Sequence, residues 1–460
     1  MSFDSNFASL GLHASVSSAL KDAGYENATE VQARAIPPAM QGRDLMVSSS
    51  TGSGKTASFV IPALERVLAA RDDATQRRER GVSHGPRILV LTPTRELALQ
   101  VSKAAMIYGR HVQGLRVATV VGGVPYALQL KQLRGPLDIL IATPGRLLDH
   151  LQSGKARLEH TEVLVLDEAD RMLDMGFIDD IRTIADHTSK TRQTLMYSAT
   201  FAGHVGRLAQ QLLRSDATER IEVDSHTDTH ENIEQRLHWA DNGAHKNALL
   251  DHILTGRGME QALVFTSTQR DADRLADRLA DMGHRVASLH GAMPQGRRNR
   301  TLTALRRGDL RVLVATDVAA RGIDVPSISH VINYGLPMKA EDYVHRIGRT
   351  GRAGRNGLAV TLAERMDAHM IGRIQHFTTQ HIPVATIAGL EPKSPEPRLF
   401  ASRGAAPGSS HRPGKPGFGR PQLKGAGQPF APRQPFEGRG AGRPARKEGF
   451  RPRARPAFGR

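Results

Sequence analysis

Leu45-Met46-Val47-Ser48-Ser49-Ser50-Thr51-Gly52-Ser53-Gly54-Lys55-Thr56 is the stretch on which the fold turns. An apolar run stops abruptly, a loop of small hydroxyl residues and glycines closes on Gly54-Lys55-Thr56, and a helical pattern follows. Strand, glycine loop, helix is the order a phosphate cradle requires. Glycines let backbone N–H groups converge on an anion, Lys55 adds a point charge, and the helix N-terminus adds its dipole. Thr56 then offers a hydroxyl suited to Mg²⁺. The pattern departs from G-x-x-x-x-G-K-[ST] at Ser49, where its first glycine would stand. A Gly-Lys-Thr alone is evenly balanced between nucleotide site and ordinary turn; its setting tips the balance.

The same succession recurs on either side. Ile88-Leu89-Val90-Leu91, Ile139-Leu140-Ile141 and Val163-Leu164-Val165-Leu166 are apolar throughout, as strands buried on both faces of a parallel sheet are. Alternation with amphipathic stretches implies a doubly wound α/β domain. The pattern pauses over the polar segment 224–231 and resumes with Ala262-Leu263-Val264-Phe265, Val312-Leu313-Val314 and Val331-Ile332. Two tandem α/β domains are therefore expected, over 1–223 and 232–390, joined by a linker over 224–231. Nearly every polar cluster follows a strand run: Thr92-Pro93-Thr94-Arg95, Gly122-Gly123, Thr143-Pro144-Gly145-Arg146, Asp167-Glu168-Ala169-Asp170, Ser198-Ala199-Thr200, Thr266-Ser267-Thr268, and Thr316-Asp317 through Arg321-Gly322-Ile323-Asp324. In open parallel sheets ligands bind beyond the carboxyl ends of the strands. These clusters describe one long functional edge.

Bulk properties narrow the class. The chain has 460 residues and no cysteine, which removes disulfides, thiolate zinc sites and cysteine nucleophiles and fits a reducing cytosol. The first residues carry no secretory signal pattern, and no stretch approaches the roughly 20 apolar residues of a membrane span. The net charge of +17 is concentrated at the end. Residues 401–460 hold 14 Lys and Arg against two acids, and the other 400 residues carry only +5. From 391 onward Pro, Gly, Arg and Ala dominate, with Phe418, Phe430, Phe436, Phe450 and Phe458 spaced among them. Such a composition cannot bury enough surface to offset ordering entropy, so 391–460 is expected to be a disordered basic tail. A polyanionic partner is the natural inference, because basic segments gain affinity by releasing counterions from phosphates. A merely solubilising tail is the bland alternative.

Asp167 and Glu168 supply the acidic strand end that a phosphate loop needs. One carboxylate can hold Mg²⁺ and its waters, and its neighbour can orient or deprotonate an attacking water. A solvated acidic helix start is the rival explanation. The second domain lacks a phosphate loop but offers arginines at 346, 349 and 352 within Tyr343-Val344-His345-Arg346-Ile347-Gly348-Arg349-Thr350-Gly351-Arg352. Arginines delivered from another domain suit stabilising charge on a transferring phosphoryl group and make hydrolysis conditional on domain closure. A basic nucleic-acid patch is a second, compatible use.

Together these residues resemble the DEAD-box RNA helicases, over roughly residues 3 to 380, and look most like the bacterial RhlE-type branch. The namesake tetrad is Asp167-Glu168-Ala169-Asp170, and a Q-motif-like Gly24-Tyr25-Glu26-Asn27-Ala28-Thr29-Glu30-Val31-Gln32 lies upstream, preceded by Phe7. The family usually has Ala-Gln at Ser49-Ser50 and Pro at Ala28. The resemblance implies two RecA-like domains of helicase superfamily 2 that bind ATP with Mg²⁺. Phe7 and Gln32, beside Thr29, would contact adenine; Ser49, Ser50, Thr51, Gly52, Ser53, Gly54, Lys55 and Thr56 the phosphates; Asp324 the ribose. Lys55, Asp167, Glu168, Arg349 and Arg352 would carry hydrolysis, with Thr56 and Asp167 on the metal. Asp170, Ser198, Thr200 and His345 would couple hydrolysis to closure. RNA would cross Pro93, Thr94, Arg95, Gly123, Thr143, Gly145 and Arg146, then Gln295, Arg298, Thr316, Arg321 and Gly322.

The expected activity is ATP-driven local unwinding of RNA duplexes by a monomeric, cytoplasmic core with little sequence selectivity. Ribosomal precursors and RNA-decay machinery are candidate partners, and no membrane is expected. ATP and RNA, each bound across both domains, should bind cooperatively. Two other classes share part of the pattern. A non-enzymatic annealing protein acting through its tail would not need Lys55, Asp167, Glu168 and Arg352, and a DNA-directed helicase would respond equally to DNA.

Overall fold

Leucines and β-branched residues on both faces suit strands covered on both sides, and the apolar runs form such strands. The computed structural model describes residues 6–399 apart from 50–52, 74, 76–84, 224–231, 321–322, 324 and 353–354. The first sheet contains β1 (Asp44–Ser48), β2 (Ile88–Leu91), β3 (Val117–Val120), β4 (Ile139–Ala142), β5 (Val163–Leu166), β6 (Gln193–Ser198) and β7 (Thr218–Glu222). Their order is β3-β4-β2-β5-β6-β1-β7, with every pairing parallel. The second contains β8 (Ile233–Ala240), β9 (Gln261–Phe265), β10 (Val286–Leu289), β11 (Val312–Ala315), β12 (Ile328–Asn333) and β13 (Gly357–Glu364). It is also wholly parallel, in the order β10-β11-β9-β12-β13-β8.

Each sheet is covered on both faces, and the strands divide their side chains accordingly. Ile88 and Val90 of β2 enter one core, Leu89 and Leu91 the other. In β9, Ala262 and Val264 face one way, Leu263 and Phe265 the other. This period of two within an unbroken apolar run is the signature of a doubly wound sheet. Threonines recur where strand passes into helix because a side-chain oxygen there satisfies an orphan N–H. Thr94 accepts from Leu97 N at the start of the helix Arg95–Tyr108, and Thr268 from Asp271 N at the start of Gln269–Asp281.

Beyond residue 378 the chain is strapped over the second sheet. Leu237 N donates to Pro383 O and Ala385 N to Leu237 O, each at 2.8 Å. Asp241, just past β8, accepts from Lys393 N at 2.8 Å and Ser394 N at 2.9 Å. Residues 391–399, which composition assigns to the tail, are thus held to the second domain by backbone capture. The linker 224–231 and residues 400–460 lie outside the described residues.

Candidate functional site

At the phosphate loop, Gly54 caps the helix Lys55–Asp72 with φ of 96°. A Cβ there would lie 2.4 Å from Gln32 Nε2 and 2.8 Å from Thr29 Oγ1, so glycine is required for close approach as well as conformation. Gln32 is held at both ends of its amide: Oε1 accepts from Thr29 N at 2.9 Å, and Nε2 donates to Gly54 O at 3.1 Å. The glutamine is therefore bolted to the loop. Phe7 is buried in the first core, its N–H donating to Glu26 O at 3.2 Å. Lys55 Nζ donates to Ser49 O at 2.8 Å, folding its charge back over the loop. Ser49 Oγ and Ser53 Oγ are 3.0 Å apart. Thr56 is half-buried beside Lys55. Ser50, Thr51 and Gly52 lie outside the described residues.

Strand β5 delivers Asp167 to the same edge. Its carboxyl is 2 % exposed, and Oδ1 has no hydrogen-bond partner. Burial first, and then the charge of Glu168, push its pKa up to about 7 against the opposing charge of Lys55. A buried carboxylate oxygen without a hydrogen-bond partner, at the same sheet edge as the phosphate loop, fits a hydrated Mg²⁺. Glu168 has φ of 52°, the left-handed region a side chain adopts at a cost of roughly 1–2 kcal/mol. Such strain is tolerated where it aims a functional group. Asp170 is raised chiefly by burial, with Arg171 opposing. Its N–H donates to Ser198 Oγ at 3.3 Å, and that hydroxyl donates to Thr200 O at 2.7 Å. His345 Nε2 of the second domain lies 4.0 Å from Asp170 Oδ2. The four residues expected to couple hydrolysis to closure therefore lie together.

The arginine trio divides by role. Arg346 is 2 % exposed and makes two bonds to Asp317, at 2.6 and 2.7 Å, with another to Asn333 Oδ1 at 3.2 Å. Its guanidinium lies 4.8 Å from the Phe265 ring centroid. The expectation that all three arginines serve a phosphate is corrected here: Arg346 braces its own domain. Arg349 and Arg352 instead donate to the Ile323 carbonyl, at 3.0 and 3.4 Å. Asp324, Arg321 and Gly322 lie outside the described residues.

The residues expected to meet RNA gather at the C-terminal strand ends of both sheets. Pro93 and Thr94 follow β2 and are buried, and Arg95 Nη1 donates to Gly122 O at 3.3 Å. Gly123, with φ of 72°, has Arg95 on one side and Gln295 of the second domain on the other; a Cβ would meet each at 3.1 Å. Thr143 and half-buried Gly145 flank the start of the helix Pro144–Gln152, and Arg146 Nη1 donates to Val124 O at 3.1 Å. Thr316 follows β11, its N–H donating to Leu289 O at 3.2 Å. Arg298 differs from the expectation. Its Nη2 donates to Glu96 Oε1 at 3.0 Å, both side chains about 10 % exposed, so it ties the two domains together. Glu96, Arg171 with Asp342, and Lys339 with Asp174 form this inter-domain seam, which sequence reading missed.

Comparison with known proteins agrees with this geometry. Residues 29–208 match the DEAD/DEAH box helicase model, and residues 244–354 the helicase conserved C-terminal domain. ATP-dependent RNA helicase SrmB of Escherichia coli K12 is 42% identical over 394 residues, 85% of this chain and 86% of that one. RhlB of Pseudomonas syringae pv. tomato is 42% identical over 80% of this chain and 91% of its own. A variant of Saccharomyces cerevisiae Dbp5 bound to RNA and ADP BeF3 superposes with a TM-score of 0.73 at 28% identity, covering 83% of this chain and 95% of that one. The same variant bound to Gle1 and IP6 gives 0.66 over 84% and 95%. With both sheets, both family matches and full-length relatives in agreement, the chain belongs to the DEAD/DEAH box helicase family.

Proposed function

We propose that this chain is an ATP-dependent RNA helicase that couples hydrolysis to local duplex unwinding. One observation carries the reading. Lys55, Asp167 and Glu168 stand at the carboxyl edge of one sheet, Arg349 and Arg352 belong to the other domain, and Asp170 faces His345 across the boundary at 4.0 Å. The better superposition on Dbp5 with RNA and ADP BeF3, 0.73 against 0.66, supports a closed arrangement of the same kind.

In this mechanism Gln32, already fixed by Thr29 and Gly54, reads adenine beside Phe7, and Asp324 meets the ribose. Lys55 exchanges Ser49 O for the phosphates. Thr56 and Asp167 would hold Mg²⁺, which supplies charge neutralisation on the triphosphate. Among the described residues no cluster of three or more His, Asp or Glu could hold a metal unaided, so the ion would arrive with its nucleotide. Glu168 orients and deprotonates the attacking water. Arg349 and Arg352 stabilise charge on the departing phosphoryl group.

RNA lies along Pro93–Arg95, Gly123, Thr143, Gly145, Arg146, Gln295, Thr316, Arg321 and Gly322. Backbone-directed contacts give little sequence selectivity, and 2′-hydroxyls distinguish RNA from DNA. The basic tail tethers RNA, and the cysteine-free composition suits a cytoplasmic enzyme; ribosomal precursors and decay complexes are the partners to test. Glu168→Gln should abolish RNA-stimulated ATP hydrolysis while ATP and RNA still bind. Wild-type turnover in that variant, or equal stimulation by DNA of the same sequence, would overturn the reading.

A further inference from the structure

Tyr126 opens the helix Tyr126–Leu133 three residues after Gly123, and its side chain is 38 % exposed. One ring face rests on the imidazole of His150, with 4.1 Å between centroids and 18° between planes. The far end is tethered as well: Tyr126 Oη and Ser153 Oγ are 2.7 Å apart, and Ser153 Oγ lies 3.1 Å from His150 O. An exposed tyrosine that served only to pack two helices would not need its ring fixed at both face and tip.

The support beneath it is unusual. His150 is fully buried, and neither ring nitrogen has a hydrogen-bond partner. Leaving a buried polar group unsatisfied is costly, so a purely structural position would favour an apolar side chain. Burial lowers its pKa and the charge of Arg146 lowers it further, against the opposing charge of Asp149; the balance favours the uncharged ring as a flat aromatic base. Arg146 lies four residues earlier in the helix Pro144–Gln152, hence on the same face, and bonds Val124 O in the segment leading into Tyr126. The rigid aromatic plane thus adjoins the backbone-contacting residues of the RNA path. Every nucleobase has a stacking face, so such a platform adds affinity without sequence selectivity.

We propose that Tyr126 is a base-stacking platform, on whose open face one nucleobase of the bound RNA packs next to the contacts at Gly123 and Arg146. The proposal rests on the helicase reading and adds a base contact to a site otherwise directed at the RNA backbone.

The test uses the full chain, a non-hydrolysable ATP analogue, and single-stranded oligouridylates in which one abasic residue is moved along the strand. Wild-type protein should lose about tenfold in affinity when the missing base falls at one position. Tyr126→Phe, which keeps the ring and loses the Ser153 bond, should behave as wild type. Tyr126→Leu should bind intact RNA about tenfold more weakly and be indifferent to the abasic residue at that position. Its salt slope should match wild type, because stacking releases no counterions. The proposal fails if Tyr126→Leu binds intact RNA normally, or keeps the wild-type abasic profile, or loses salt dependence. Absence of RNA binding and of RNA-stimulated hydrolysis in the wild type would instead overturn the helicase reading itself.

Discussion

Asp167 sits where function and stability pull apart. Its carboxyl titrates at about 7 when folded, against an ordinary value of 3.8, because burial disfavours the charge. Between those values the folded state holds a proton that the unfolded state has released. Stability therefore falls as pH rises from about 4 to about 7 and stays lowered above that, by an amount on the order of a few kcal/mol. Asp167→Asn should melt higher than wild type at pH 8 in Mg²⁺-free buffer and lose the slope below pH 7; equal melting would contradict the assignment. The arginines separate by the same kind of measurement. Arg346→Ala leaves Asp317 without its partner and should cost roughly 3 kcal/mol or more in chemical denaturation. Arg349→Ala, which leaves no carboxylate of its own domain unpaired as Arg346→Ala leaves Asp317, should cost less stability and lower ATP turnover instead.

At the level of elements, one contact of the seam between the domains joins two helix starts. Glu96 opens one helix, Arg298 belongs to the first turn of another, and their ion pair is nearly buried. Breaking it from one side leaves an uncompensated charge. Arg298→Ala should weaken the mutual enhancement of ATP and RNA binding several-fold. The exchange of Glu96→Arg with Arg298→Glu should restore part of it, as a double-mutant cycle reads. This contact was not legible in the sequence because its partners lie 202 residues apart, and those of Arg171 with Asp342 lie 171 apart. Local patterns read well by contrast: the loop ending in Gly54-Lys55-Thr56 and the all-apolar β2, β4 and β5 need only neighbouring residues. Strands β7, β8 and β10 end the strand order of their sheets, and their apolar runs are broken by polar residues. Strand β13 is interior, yet Leu-Ala-Val-Thr-Leu-Ala-Glu is as much a helix composition as a strand one. The comparisons do not single out the RhlE-type branch, since relatives named SrmB and RhlB share the same 42% identity with this chain.

For the whole molecule, the proposed mechanism makes nucleotide, RNA and closure one linked equilibrium and gives the basic C-terminal segment the part of a separate tether. Deleting residues 403–460 should weaken RNA binding and flatten its salt dependence, while RNA-independent hydrolysis persists; an unchanged slope in a salt titration would remove the tether from the account. In the proposed mechanism, closure rests on the terminal phosphate joining Lys55 to arginines on the opposite domain. The most direct test is the factor by which a non-hydrolysable triphosphate tightens RNA binding, compared between wild type and the Arg349→Ala, Arg352→Ala double variant. Wild type should give a factor of about 5 to 150 and the double variant a factor near one. An undiminished factor in the double variant would mean that the triphosphate closes the domains without those arginines, contrary to the mechanism.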